Sequence, residues 1–184
     1  MKKPIRNLMN KLLSYDLYKQ GNIVRWAGRH VIVHENDAEH MHYVTQLTMI
    51  LCKHFEIDEH RTLLACQLAA THDWGETITN DVNFVVKRKD PAIKKGLDSQ
   101  EFEFMKTTPL FEEYSLALED ELVKKIVDCA DSIDVLYYIN REKMLGNKTD
   151  IVTDVWNEAE KRVMNLLVNI KNLKEKMESI GRSL

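Results

Sequence analysis

Turn-forming residues are scarce in this sequence of 184 residues, with six glycines and three prolines. No Asn-Gly or Asp-Gly pair joins two alternating apolar runs, so the usual hairpin signal is absent. Only "NIVRWAG" and "HVIVHE" are left as candidate strands. The three cysteines, Cys52, Cys66 and Cys129, form no C-x-x-C pair and sit among apolar neighbours. They read as small buried hydrophobes in a reducing compartment. No run approaches the ~20 apolar residues of a membrane span. The N-terminal "MKKPIRNLMNKLLSYDLYKQG" has no uninterrupted apolar core of a signal peptide. A cytoplasmic protein without a membrane partner is expected. The net charge of −3 excludes broad attraction to nucleic acid, so no stable nucleic-acid partner is expected and any basic site must be local.

What the sequence does contain is helical periodicity and enough apolar residues, 44%, for one sizeable core. The expectation is a compact all-α protein whose residues 1–184 form a single domain. "AEHMHYVTQLTMILCKHF" repeats apolar residues at steps of three and four, predicting a helix around 39–55. A second, around 58–76, opens on Asp58 as N-cap, and a third, around 119–144, stops at Gly146-Asn147. The C-terminal helix, 151–178, carries a stripe of Val155, Ala159, Val163, Leu166, Ile170, Leu173 and Met177. That stripe can pack on the body or on another subunit. The segment from Asn80 to Thr108, interrupted by Pro91 and Gly96, reads as the loosest region.

Within this pattern "THDWGETITND" stands out, because adjacent titratable groups must each find a partner or stay in water. His72 and Asp73 project about 100° apart on a helix, yet both can converge on an ion over the seam between them. Two ligands hold a metal poorly. His40, at the start of one apolar helix, and Asp131, inside another, supply two more where three helices can meet. Any one of these residues alone reads as a hydrogen-bonded core residue. Together, two imidazoles and two carboxylates make a mixed set suited to a divalent Mn, Fe, Co, Zn or Mg ion.

The spacing of His40, His72-Asp73 and Asp131 resembles the H…HD…D signature of HD-domain phosphohydrolases. Further motifs resemble the bacterial HD-domain 5′-deoxynucleotidases and the compact viral dATP triphosphohydrolases. These are Arg25-Trp26, Glu35-Asn36 and Glu39-His40; then Glu76, Thr79, Asp81 and Lys87; then Glu142 and Gly146-Asn147. The resemblance runs from about residue 20 to 147. It implies a compact HD-domain helical bundle in which His40, His72, Asp73 and Asp131 hold the metal. By the same resemblance Glu76 handles the proton of the attacking water, Arg25 and Lys87 meet phosphate, Trp26 crowds a 2′-hydroxyl, and Asp81 accepts from the sugar 3′-hydroxyl. Each has an ordinary alternative: surface acid or salt bridge for Glu76 and Arg25, core packing for Trp26, loop acid for Asp81, solvated charge for Lys87.

The implied substrate is a 2′-deoxynucleotide cleaved at the phosphorus on the 5′ oxygen. The short interval from Asp73 to Asp131 and the "KRK" run after Asp81 lean towards release of triphosphate from a dNTP such as dATP. Removal of one phosphate from a dNMP is the alternative, and a non-catalytic binding module is a third reading. The C-terminal stripe, with the resemblance, also points to a homo-oligomer.

Overall fold

Side-chain caps fix where the main helices start. In the computed structural model, which describes residues 3–15, 17–82, 84–149 and 151–181, helix α2 (Asp37–His54) begins at Asn36. The Asn36 side chain accepts from Glu39 N and the Glu39 side chain accepts from Asn36 N, a reciprocal cap that satisfies two orphan donors. Helix α3 (Glu59–Ala69) starts at Asp58, as predicted, and α8 (Glu121–Met144) at Asp120. Asp120 also accepts from Arg61 Nε at 2.7 Å, which ties the start of α8 to the first turn of α3.

The remaining elements fill in around these three. Helix α1 (Lys3–Leu13) leads into a 3₁₀ turn, Leu17–Asn22. Helices α4 (Glu76–Thr79), α5 (Phe84–Lys89), α6 (Pro91–Met105) and α7 (Phe111–Glu119) lie between α3 and α8. A π-helical turn, Ile151–Val155, runs into α9 (Trp156–Gly181). Among the described residues there is no strand, and the candidate strand segments contribute one isolated bridge, Val24 to Asn36. The fold is all-α. No helix among the described residues is long and apolar enough to cross a membrane.

Helices α2, α3, α8 and α9 enclose the main core. Val44 and Leu51 of α2 meet Leu64 and Leu68 of α3 and Val123, Ile126 and Ala130 of α8. Each fully buried large aliphatic side chain contributes about 1.5–3 kcal/mol. The C-terminal stripe closes this core from outside. Val163, Leu166 and Ile170 are buried in it, and Leu173 and Met177 pack against its edge. That face of α9 is therefore committed to the body of its own chain.

Two expectations need correction. The second helix does not run to residue 76: α3 ends at Ala69, and turns carry the chain through His72 and Asp73 to Gly75. Nor is the stretch from Asn80 to Thr108 loose, since α5 and α6 occupy most of it. Pro91 does not interrupt it. It sits at the first turn of α6 behind the Asp90 cap, where a missing N–H costs nothing.

Candidate active site

The turn that replaces the end of the predicted helix is what aims the histidine and aspartate of the doublet. His72 Nδ1 donates to the Ala69 carbonyl oxygen at 2.8 Å, which orients Nε2 away from the backbone. His40, fully buried on α2, faces it with Nε2 3.3 Å from His72 Nε2. Behind His40, Nδ1 lies 2.7 Å from Asp134 Oδ2 on α8. A carboxylate on the far nitrogen fixes the tautomer of an imidazole and strengthens it as a ligand.

The carboxylates complete the cluster. Asp73 Oδ2 lies 3.3 Å from His72 Nε2 and 3.5 Å from His40 Nε2. Asp131 reaches the group through His40, with Oδ1 at 3.4 Å from Nε2. One ligand atom each from His40, His72 and Asp73 lies within 4.8 Å of the others. With both Nδ1 atoms engaged, two Nε2 lone pairs and two carboxylate oxygens converge, an arrangement that fits a divalent cation. Electrostatics agree. Burial and Arg25 disfavour a charged His40, yet Asp131, Asp134 and Asp73 together hold it up to about 10. Burial likewise opposes ionisation of Asp131, and His40 and His72 still bring it down to about 2. The pocket favours positive charge at its centre.

A cleft of about 340 Å³ opens over the cluster, lined by every sequence-predicted site residue except the buried His40. Glu76, at the start of α4, is 4% exposed and pairs through Oε1 with Lys87 Nζ at 2.9 Å, while Oε2 is buried without a partner. Burial, then Asp73 and Asp81, holds this carboxyl above its ordinary range against the pull of Lys87. Asp81 and Lys87 both line the cleft, and the ammonium of Lys87 is engaged with Glu76. Gly75 sits immediately before Glu76 because α6 passes too close for a side chain. A Cβ there would meet Glu101 Cβ at 2.5 Å.

Arg25 points inward rather than to solvent. Its Nη1 donates to Asp73 Oδ2 at 3.0 Å, and Nε lies 3.6 Å from Glu35. Trp26 adopts a left-handed backbone, φ 63°, which a bulky residue rarely tolerates without support. Its ring stacks on Tyr138 with centroids 4.9 Å apart and planes 6° from parallel. The following segment is pinned by Glu142, which accepts from Ile32 N and Val33 N at 2.8 Å each and from Asn147 Nδ2 at 2.7 Å. The Glu…Gly-Asn motif thus anchors the loop that presents Arg25 and Trp26.

Three site residues carry no assignment from the sequence. Asp134 had a signal: it lies three residues after Asp131, on the same face of α8. Asp37 is fully buried, with neither oxygen hydrogen-bonded, and burial and then Asp73 push it up to about 7. Arg162, on α9, lines the cleft with Nη2 4.0 Å from Asp131 Oδ2. Nothing in its local sequence marks it.

No curated protein sequence matches the chain at a significant level. Solved structures do share its fold. The PH0347 protein of Pyrococcus horikoshii OT3 is 21% identical, with TM-score 0.68, over 91% of this chain and 98% of its own. An HD-domain phosphohydrolase of Listeria innocua is 19% identical, with TM-score 0.71, over 95% of this chain and 88% of its own. The cyanophage S-2L HD phosphohydrolase DatZ, solved with dA and one catalytic Zn²⁺ ion, is 20% identical, with TM-score 0.66, over 88% of this chain and 97% of its own. The family described as 5′-deoxynucleotidase YfbR-like matches residues 15–179, almost the full length, and the chain belongs to that family of HD-domain proteins.

Proposed function

We propose that the chain is a metal-dependent phosphohydrolase of 2′-deoxynucleotides, attacking the phosphorus on the 5′ oxygen. His40, His72, Asp73 and Asp131 would hold the divalent ion. Such an ion supplies Lewis acidity, drawing charge from a phosphoryl oxygen and lowering the pKa of water.

The observation that carries the reading is Glu76 Oε2, buried and unpartnered beside the cluster, in a carboxyl whose proton affinity is raised. A base with a raised pKa matches proton removal near neutral pH. Lys87 holds the other oxygen and so orients the group. Water's oxygen would bond to phosphorus as the bond to the 5′ oxygen breaks. Glu76 would take the water's proton and return it to the departing 5′ oxygen. Arg25 offers a planar fork to phosphate oxygens. Trp26, held rigid on Tyr138, would leave no room for a 2′-hydroxyl, and Asp81 would accept from the 3′-hydroxyl. The dA bound by the similarly folded DatZ supports a deoxynucleoside in the cleft.

For the phosphate chain, a dNTP cleaved to deoxynucleoside and triphosphate is the favoured substrate. Arg25, Arg29, Lys87 and Arg162 all line the cleft, more cationic side chains than one phosphate needs. A dNMP reading is favoured instead by the description of the family. Purified protein loaded with Mn²⁺ or Co²⁺, incubated with dAMP and dATP, tests both. Triphosphate from dATP supports the first and inorganic phosphate from dAMP the second. Inactivity on all four deoxynucleotides at one and three phosphates would sink the proposal.

A further inference from the structure

The resemblance visible in the sequence ends before α9, yet α9 supplies a wall of the cleft. Its Arg162 is the feature that bears on substrate length. The guanidinium stands 3.7 Å from Asp128 Oδ1 and 4.0 Å from Asp131 Oδ2, both beyond direct hydrogen-bond distance. With 54% of its side chain exposed, it can turn towards a ligand without breaking a bond. The other mapped cations of the cleft are tied down. Arg25 donates to Asp73 at 3.0 Å and Lys87 to Glu76 at 2.9 Å. Lys87 approaches the metal cluster through Glu76, whereas Arg162 approaches it through Asp131. The two therefore flank the cluster by different carboxylates, and only Arg162 does so from the solvent side.

We propose that Arg162 binds the phosphate oxygens beyond the one attacked, making it the residue that distinguishes a deoxynucleoside triphosphate from a monophosphate. A single phosphate over the cluster is served by the inner cations. A chain of two further phosphates must run outward along the cleft, where a planar, permanently charged fork can grip it bidentately. Its weak pairs to Asp128 and Asp131 keep the side chain near the cleft without satisfying it.

This assignment rests on the deoxynucleotide reading, and the test separates the two. Arg162→Ala and Arg162→Lys are compared with the parent in kinetics on dAMP and dATP. Equilibrium binding of both nucleotides is then measured in a Glu76→Gln background that removes turnover. Loss of one bidentate charged contact is worth about tenfold or more in affinity. The expected result is a rise of that size in KM and Kd for dATP in the alanine variant, with dAMP changed less than about twofold. The lysine variant should fall between, because it keeps charge but not the fork. Equal weakening of dAMP and dATP, or weakening of neither, overturns the proposal. If the parent hydrolyses neither nucleotide but Arg162→Ala still weakens dATP binding selectively, Arg162 keeps its role and the hydrolase reading fails.

Discussion

Two glutamates in this molecule are equally hidden from water and have opposite chemistry. Glu142, at the end of α8, has no exposed surface, and its oxygens accept from Ile32 N, Val33 N and Asn147 Nδ2. Burial disfavours its charge, but these three donors win and hold the carboxyl below its ordinary value. Glu76 has one partner, Lys87, and one orphan oxygen, with Asp73 and Asp81 near by, so burial wins and its carboxyl is held up. Burial by itself does not say what a carboxylate is for; the count of donors around it does. One glutamate is an anchor and the other is poised to take a proton.

The sharpest way to break the contrast is to remove the proton acceptor. Glu76→Gln is expected to lower turnover by about 10²–10⁴-fold, the usual worth of general base catalysis. Metal content should stay the same, because the imidazoles and aspartates remain. The melting temperature should hold or rise, since an unsatisfied buried carboxylate is costly to the fold. Turnover within a few-fold of the parent would remove the distinction between the two groups. The converse change is Glu142→Ala, which strands two backbone N–H groups and the Asn147 amide. At about 1–3 kcal/mol per buried unsatisfied group, a loss near 3 kcal/mol is expected in denaturant unfolding. Its catalytic effect should appear first in KM, through the loop that carries Arg25 and Trp26.

The same contrast explains what could be seen in the sequence. His40, His72, Asp73 and Asp131 were legible because titratable residues interrupt apolar periodicity, and the structure brings them within a few ångströms of one another. Glu142 and Asn147 were visible as a motif without a role, since the donors they meet lie more than a hundred residues away in the chain. The end of α3 at Ala69 was not legible. Local periodicity continues past it, and the turn is imposed by the packing of α6 against Gly75, a contact no local pattern encodes. Arg162 was hidden for a similar reason. Its helix shows a clean apolar stripe, and a single arginine on the polar side looks like any solvated charge until α9 is docked on α8.

A smaller effect is expected at the carboxylate behind the metal site. Asp134 meets His40 Nδ1 at 2.7 Å, and Asp134→Asn keeps the shape while removing the charge that favours a fixed, basic imidazole. Such partners typically matter by 10–100-fold in metal affinity. Competition titration with a chelator should show a drop of that order. An unchanged affinity would mean that His40 is oriented by packing alone.

The smallest effect, and the finest test of the two glutamates, is the pH dependence of stability in the metal-free protein. Glu142 has a lowered folded-state pKa, so its contribution is fully present above its unfolded value of about 4.3 and fades as pH falls through the folded value. The parent should therefore lose stability relative to Glu142→Gln below about pH 4. Glu76 runs the other way. Its raised folded-state pKa means that the folded state prefers the proton, so its unfavourable contribution grows as pH rises above about 4.3 and levels off past the folded value. Glu76→Gln should gain on the parent over that range. Urea unfolding of the two variants across pH 3–9 would give stability differences from the parent that are confined to acid for one and grow towards alkali for the other, and matching profiles would mean that the orphan oxygen of Glu76 finds a donor in solution.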